Sequence, residues 1–531
     1  MHSPSLAIVN GVVWPPRGPT TAVAIIGDRI VASGSDSDIR SLCDRRTRVI
    51  DARRGSILPA FNDAHVHFLM ASRSLAELDL YGAETQEEVE RRIAGYAAVY
   101  GGSWVVGRGW FYSAFPGNMP TVELLDRLVP DRPAYIESFD AHTGWANTRA
   151  LVASGVASPS VLKEAAMLAV TRHIPVRSTA EDLDSLRAGM KLAASRGIGS
   201  VQEAGDGLDQ MELWEALRAT GELTLRVRLA FDMVPGLDSK DWTKRLNLYG
   251  EAAKGRAHPP GPPATSQASE EVKARDAWIS AGILKAFADG VVESRTAAML
   301  EPYEGTTEHG EPLWAPAELR EAVRAADARG WQVQVHAIGD AAIRQALDAF
   351  TSTTPGRRHR IEHIEAPSLG DVGRFSELGV IGSMQPQHAE PNRNLLGVWA
   401  PNLGSTRAAS GWPWRSILRS GGRLAFGTDW PVVPLDPAAS LHVAVNRQTL
   451  AGEPPGGWLP DQRLTVDEAL EAWTRGSAYA EHADGVKGVL SGGMLADLAI
   501  LDRDVSTTPR MELASLKVTA TIVGGRVVYE R

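Results

Sequence analysis

Residues 57–68 read Ile-Leu-Pro-Ala-Phe-Asn-Asp-Ala-His-Val-His-Phe, an apolar run with a proline that leads into two histidines. His65 and His67 are two positions apart, and on a β-strand such residues point to the same face. If this strand lines a barrel, both imidazoles face its interior and supply half of a metal site. A strand with two polar residues facing solvent explains the same spacing, so the rest of the chain has to decide between the two interpretations.

The composition is that of an ordinary globular chain that is too long for one simple core. It has 531 residues, 44% of them hydrophobic and 22% charged, so two or more folding units are expected. The net charge of −9 and the lack of a Lys/Arg run argue against nucleic acid or an anionic membrane surface as a partner. The single cysteine, Cys43, excludes internal disulfides and cysteine-based zinc sites. With neither a signal-peptide pattern nor an apolar stretch of membrane-spanning length, we expect a cytoplasmic protein.

Both ends of the chain are rich in short β-like runs separated by tight-turn signals such as Asn10-Gly11 and Gly524-Gly525. We therefore expect one small β-sandwich, built from residues 1–56 and 488–531.

The long middle of the chain, residues 57–487, alternates strands with helical patterns. The predicted strands are 57–67, 199–204, 225–231, 282–288, 331–336, 360–364, 380–385 and 423–428. Alternation of this kind predicts a parallel sheet, and eight units predict a closed (β/α)8, TIM-like barrel of the α/β class. The proline-rich segment 252–270 is interpreted as a loop insertion.

Metal-capable side chains stand at the ends of several predicted strands, where barrels of this kind carry their chemistry. They are His65, His67, His336, His363 and Asp429. Each alone has a plain alternative: a satisfied core histidine, a surface strand end or a helix N-cap. Because these alternatives would have to coincide, the set together predicts a divalent metal centre.

Lys285 lies inside the apolar run Gly282–Ala288. A buried ammonium costs several kcal/mol, and the cost disappears if the amine is deprotonated and takes up CO2. The resulting carbamate is an anion that can bridge two metal ions. The alternative is a lysine that reaches the rim or pairs with Asp289, four residues on.

These motifs resemble the amidohydrolase superfamily, in particular the branch of the N-substituted formamide deformylases (amidohydrolase family 3). The resemblance is carried by Pro59-x-Phe61-x-Asp63-x-His65-x-His67, Lys285 with Asp289-Gly290, His336-Ala337-Ile338-Gly339-Asp340, Glu362-His363 and Gly427-Thr428-Asp429-Trp430-Pro431. Similarity to that branch extends to Gln385-Pro386 with His388, Glu301-Pro302-Tyr303, Asp140-x-His142-x-x-Trp145-x-Asn147 and Gly493-x-x-Ala496-Asp497-Leu498.

The resemblance implies a metal-dependent hydrolase of amides, formamides and related C–N bonds, with a subdomain inserted at about 78–180. It also implies that one or two zinc or similar ions are held by the five strand-end residues, and that Lys285 is carboxylated. Three places depart from the family pattern: Ala60 replaces a usual glycine, Phe111 a common acidic residue, and Gln202-Glu203 a frequent His-Asp pair. None of the departures is at a proposed metal ligand.

The expected mechanism is attack of a metal-bound hydroxide on the amide carbonyl, since metal binding lowers the pKa of water towards ~7. Asp429 takes the proton and delivers it to the leaving nitrogen. His142 is a candidate to donate a hydrogen bond to the developing oxyanion, although a structural role explains it equally well.

The substrate is expected to be a small amide. Candidate binding residues are Trp110, Phe111, Trp145, Gln385, His388 and Trp430, although tryptophans are more often core residues.

The alternative function is that of a metal-dependent ester or phosphoester hydrolase or an isomerase. A phosphoesterase is expected to carry clustered Arg or Lys at the barrel mouth, which the sequence does not show clearly. A non-catalytic scaffold that has lost its metal would be expected to lack some of the metal-ligand residues, and all of them are present in this sequence. The sequence leaves open whether the chain forms a homodimer.

Overall fold

A parallel sheet of eight strands forms the centre of the protein, as a computed structural model describes it for residues 3–15, 20–157, 160–256 and 277–531. In chain order the strands are β1 Phe61–Val66, β2 Ile198–Glu203, β3 Arg226–Asp232, β4 Ile279–Phe287, β5 Gln332–Ala337, β6 Arg360–His363, β7 Ile381–Met384 and β8 Arg423–Phe426. Each strand pairs in parallel with the one before it. The predicted α/β class is confirmed, and all eight predicted strands overlap these.

The two ends of this sheet meet along a seam that nearly closes the barrel. The amide of Thr428 donates to the Asp63 carboxylate at 2.9 Å, and its hydroxyl donates to the other oxygen at 2.6 Å. The amide of Asp429 donates to the carbonyl of His65 at 2.7 Å. Gly427 is required by this close approach, because a Cβ there would lie 2.5 Å from the backbone nitrogen of His65. The seam between β1 and β8 therefore sets His65 beside Asp429.

Helices flank the barrel, and their apolar sides join the core of the strands. Those with at least six residues are Phe68–Ser74, Thr179–Ser195, Gly207–Ala219, Ser239–Ala252, Pro316–Asp327, Asp340–Phe350, Val372–Leu378, Trp414–Arg419, Pro437–Asn446 and Val466–Glu471. Helical segments of four residues are Leu168–Thr171, Ala400–Leu403, Ser405–Ala408 and Ser477–Ala480. The predicted loop insertion at 252–270 lies mostly outside the described residues. No helix in the described ranges is long and apolar enough to cross a membrane.

Strands from both termini form a small sandwich, as predicted. One sheet holds Leu6–Val9, Ala22–Ile26, Arg29–Gly34 and Arg48–Asp51, with the helix Asp36–Leu42; the other holds Val12–Val13, Ser56–Pro59, Leu498–Leu501, Val518–Val523 and Arg526–Glu530. Ile8, Ile57 and Ile522 belong to the apolar layer of this sandwich. Ser56–Pro59 thus pairs with Leu498–Leu501, and the barrel strand begins only at Phe61.

A further sheet is inserted between β1 and β2. It contains Leu78–Asp79, Val105–Trp110, Ala134–Ser138, Thr143–Ala146 and Val161–Lys163, accompanied by the helices Gln86–Val99, Val122–Leu128 and Thr148–Ser154. This inserted subdomain has an apolar core of its own, which includes Trp110, Ile136 and Trp145.

Candidate metal centre

The predicted strand-end residues meet at the carboxyl end of the barrel. His65 lies in β1, His336 in β5 and His363 at the end of β6, and all three are buried. The ring centre of His363 is 5.0 Å from that of His65 and 4.5 Å from that of His336. Residues far apart in sequence thus form one cluster because the parallel strands all end at this edge.

Asp429 lies between two pairs of histidines. Its Oδ1 is 3.4 Å from Nε2 of His65 and 3.5 Å from Nε2 of His67. Its Oδ2 is 3.7 Å from Nε2 of His388 and 3.9 Å from Nδ1 of His363. In each trio formed with Asp429, the ligand atoms lie within 4.8 Å of one another. His388, which the sequence placed among the substrate-binding residues, therefore belongs to the cluster of metal-capable side chains.

Several polar atoms of this cluster are buried without a hydrogen-bond partner in the part of the chain that is described. They are Nε2 of His65, Nδ1 of His363, Nε2 of His388, Oδ1 of Asp429 and Nζ of Lys285. Buried polar groups normally have partners, and imidazole nitrogens with a carboxylate oxygen are the donors that a zinc-like ion prefers. The residues present therefore fit a divalent cation.

The backbone is strained at two members of the cluster. His363 has φ 72° and Asp429 has φ 62°, both in the left-handed region that L-residues seldom adopt. Such strain is held by surrounding structure and is concentrated at functional sites. At His363 it interrupts the alternation of the strand, so both Glu362 and His363 reach His65.

Lys285 is almost fully buried in β4, 1% exposed. Burial lowers the pKa of its amine to about 8, against the opposing effect of Glu362 and Asp429. Asp289 does not pair with it, because the Asp289 carboxylate accepts from the amides of Ala298 at 2.9 Å, Ile338 at 3.0 Å and Gly339 at 2.9 Å. The alternative in which Asp289 neutralises Lys285 is therefore wrong.

Glu362 also lies in this cluster, although no role was predicted for it from the sequence. Its Oε2 is 2.7 Å from Nδ1 of His65, and both side chains are fully buried. Burial alone would raise the pKa of Glu362, but Arg360 and His65 outweigh it and lower the pKa to about 2. An ionised carboxylate only accepts, so Nδ1 of His65 carries the hydrogen. The signal in the sequence was the Arg360-x-Glu362 spacing, which puts two opposite charges on one strand face.

A cavity of about 500 Å³ opens onto the cluster, and its walls come from both the barrel and the inserted subdomain. His142 and Phe111 of the insertion line it, together with Phe139 and Tyr81, whose rings stand 5.0 and 5.4 Å from that of Phe111. Nδ1 of His142 is 2.9 Å from Oε2 of Glu164. Burial opposes the charge on His142, but Glu164 outweighs it and raises the pKa of His142 to about 9.

Four of the predicted substrate-binding residues are outside this set of wall residues. Trp110 and Trp145 lie in the core of the insertion, where their indole N–H groups donate to the carbonyls of Ile136 and Thr121. Trp430 packs against Phe68, with ring centres 5.5 Å apart, and Gln385 is fully buried. Among the described residues, the Phe and Tyr rings that line the cavity are those of Tyr81, Phe111, Phe139 and Phe287, and no tryptophan lines it.

Comparison with known proteins identifies the family. Residues 48–529 match the model of the amidohydrolase family. The chain is 29% identical to Protein LONG AFTER FAR-RED 3 of Arabidopsis thaliana, over 99% of this chain and 91% of that protein. It is 25% identical to N-substituted formamide deformylase of Arthrobacter pascens, over 96% and 95% respectively. An uncharacterized metal-dependent hydrolase from Pyrococcus furiosus has a similar structure, with a TM-score of 0.70, 25% identity and coverage of 94% of this chain and all (100%) of that one. The chain belongs to the amidohydrolase family and is a metal-dependent hydrolase that acts on a small molecule.

Proposed function

We propose that the protein hydrolyses a C–N bond of a small amide or formamide-like substrate, using one or two zinc or similar divalent ions. The observation that carries this proposal is the position of Asp429 between two histidine pairs, with unpartnered nitrogen and oxygen atoms of those groups turned to one another. Support for a C–N bond comes from the relative in Arthrobacter pascens, whose name is N-substituted formamide deformylase.

The metal would be held by Asp429 and the histidines around it, with Lys285 and His336 beside them. Those ligands are His65, His67, His363, His388 and Asp429. When bound, a divalent ion polarises a carbonyl group and makes water acidic enough to react at neutral pH. In addition, we propose that the neutral amine of Lys285 adds to the carbon of CO2 and loses one proton. The product is a carbamate. Its anionic group, which can bind a metal ion, would replace the unpartnered amine at this buried position.

The chain itself moves the proton. Asp429 has a pKa below its ordinary value, because His65, His67 and His388 outweigh the effect of burial. Its carboxylate therefore accepts a proton from the attacking water and delivers it to the leaving nitrogen. His142, kept protonated by Glu164, donates a hydrogen bond to the carbonyl oxygen as negative charge develops there.

The cavity wall favours an amide over a phosphoester. Of the residues that line it, as far as the chain is described, none is Arg or Lys, whereas Glu137 and Glu293 are exposed to it. Phosphate recognition in proteins relies on such cations. The rings of Phe111, Phe139 and Tyr81 offer an apolar surface to the organic part of an amide.

The test is a panel of N-formyl and N-acyl amines, matched esters and matched phosphoesters, assayed as kcat/KM after reloading of the chelated protein with Zn²⁺. We expect amides to be hydrolysed in preference. Hydrolysis of the esters or phosphoesters alone would contradict the C–N assignment.

Metal binding is tested separately by elemental analysis of variants. His65→Ala is expected to lose most of the bound metal. His442→Ala is the matched control, since His442 is equally buried but bonds to the carbonyl of Thr449 outside the cluster. A fully active protein that holds no metal would overturn the proposal.

A further inference from the structure

The barrel interior below the metal-capable cluster is polar. TIM barrels are usually filled by bulky apolar side chains at this level. Here Arg360 and Glu362 of β6 are both fully buried, with Gln202 of β2 and Gln334 of β5 beside them. A buried charge needs partners, so the bonds of this group indicate what it does.

Arg360 bonds to two groups that adjoin His65, namely the carboxylate of Glu362 and the backbone of Ala64. Its Nε donates to Oε1 of Glu362 at 2.9 Å. Its Nη2 donates at 2.8 Å to the carbonyl of Ala64, the residue that precedes His65 in β1. The same guanidinium therefore fixes the carboxylate that bonds the ring of His65 and the backbone that carries it.

Gln202 and Gln334 complete the environment of Arg360, since their side-chain oxygens accept from Nη1 and Nη2. The amide group of Gln202 donates to the carbonyl of Ser477 at 2.9 Å, which turns its oxygen towards Arg360. The side chain of Gln202 fits here because a neutral acceptor can bond the guanidinium without adding a further charge.

The effect reaches the metal-capable nitrogen of His65. The carboxylate of Glu362, which is paired with Arg360, lies 2.7 Å from Nδ1 of His65 and accepts from it, so the hydrogen of the neutral ring is on Nδ1. Nε2 then carries the lone pair and faces Oδ1 of Asp429, 3.4 Å away. The hydrogen-bond partner of one ring nitrogen fixes the tautomer and the orientation of the imidazole. It thereby determines how strongly the other nitrogen binds a metal ion.

We propose that Arg360 is a positioning residue for His65: it fixes Glu362 and the backbone of Ala64, so that Nε2 of His65 is presented to the metal. The inference rests on the proposed metal role of His65. A lysine cannot replace Arg360 fully, because one ammonium group cannot reproduce the planar set of bonds that the guanidinium makes to several acceptors.

The decisive comparison is Arg360→Met against Arg228→Met, with Zn²⁺ affinity measured by competition with a chelator. Arg228 is a matched control: it is also an arginine of the barrel interior, 1% exposed, but it bonds to the carbonyl of Glu481 and to Gln332. Both variants are expected to lower the thermal midpoint. Only Arg360→Met is expected to weaken Zn²⁺ binding, by about 10- to 100-fold.

The assignment is overturned if Arg360→Met binds Zn²⁺ as tightly as the wild type, or if Arg228→Met weakens binding to the same extent. If Arg360→Met does not accumulate in folded form, the Zn²⁺ affinity of Arg360→Lys is measured instead. It should bind Zn²⁺ with an affinity between those of wild type and His65→Ala, and an unchanged affinity would again overturn the assignment.

A second readout separates this proposal from the one on which it rests. The absorption spectrum of the Co²⁺-loaded protein reports the ligand set, and we expect it to change in Arg360→Met and to stay unchanged in Arg228→Met. If His65→Ala itself retains the metal, the proposed metal role of His65 fails. If His65→Ala loses the metal while Arg360→Met keeps both affinity and spectrum, only the positioning role fails.

Discussion

The Nζ atom of Lys285 lies 4.5 Å from the centre of the Phe287 ring. Within the described parts of the chain this nitrogen has no hydrogen-bond partner, although it is buried. An aromatic face attracts an ammonium group but cannot replace the hydrogen bonds that it makes in water. Because burial also lowers the pKa of Lys285 to about 8, a minor fraction of the amine, roughly a tenth at pH 7, is neutral. That is the form that reacts with CO2.

Lys285→Ala is expected to lose metal and activity together, and short carboxylates such as acetate should restore part of both by standing in for the carbamate. The measurement is metal content and kcat with and without added carboxylate. Lys487→Ala is the control, because Lys487 is also buried but pairs with Glu481 at 2.6 Å; carboxylates should have no effect on it. A bare amine at Lys285 in metal-loaded, fully active protein would contradict the prediction.

Asp429→Asn should reduce kcat on the order of 10²-fold or more, as is usual for loss of a general acid–base group. The amide keeps the shape of the side chain but cannot accept the proton from water. Bound metal should fall less than in His65→Ala, since the amide oxygen remains a weak ligand. kcat and metal content are measured on the same preparation. Near-normal turnover with metal bound would show that another group carries the proton, and Glu203 and His363 would be tested next.

Phe111→Ala is expected to raise KM about tenfold or more with little change in kcat, because the ring binds ground state and transition state alike. The neighbouring Trp110 provides the contrast. Trp110→Ala should leave KM nearly unchanged and lower stability by about 3–5 kcal/mol, as expected for a large side chain in a packed core. Kinetics and thermal unfolding of the two variants give the comparison. An unchanged KM in Phe111→Ala would remove this ring from the substrate wall.

Asp327 predicts a pH-dependent part of the stability. Burial opposes its charge, but the nearby His359 ring and the hydrogen bonds from Arg357 and Thr354 outweigh burial and hold its pKa below the ordinary value of 3.8. Since the folded-state pKa is depressed, this stabilisation is fully present above about 3.8 and is lost as the pH falls through the folded pKa. Asp327→Asn should therefore cost about 1–3 kcal/mol at pH 7, and the difference from wild type should shrink in acid.

The control for this measurement is Asp184→Asn. Asp184 is a surface residue whose side chain is 78% exposed and whose partner is Arg187 on the same helix. Exposed pairs of this kind contribute little, so its unfolding midpoint should follow the wild type at every pH. A constant difference between Asp327→Asn and wild type down to the most acidic pH would contradict the assignment.

Much of the fold could be predicted because strands and helices have different apolar periods, and because parallel strands bring their carboxyl ends to one edge. That reasoning found His65, His336, His363 and Asp429. It assigned both Trp110 and Phe111 to the substrate wall, since the sequence does not reveal which side of the inserted sheet faces the barrel; only Phe111, just past the end of the strand, lines the cavity. Periodicity also hides Glu362, because the left-handed backbone of His363 lets two consecutive residues point to the same place.

The hydrogen bond that joins Asp63 to Thr428 connects positions 365 residues apart in the chain. At the usual rate of about 5–20 residues per second, roughly 20 to 70 s of synthesis separate the emergence of the two strands. Contacts this distant form late, because the intervening chain must be ordered first. During that interval we expect β1 to be an open edge of the sheet, with His65 and His67 lacking Asp429. The cluster of metal-capable side chains is complete only when the last barrel strand docks, so we expect an ion to bind after that step and not to the earlier nascent chain.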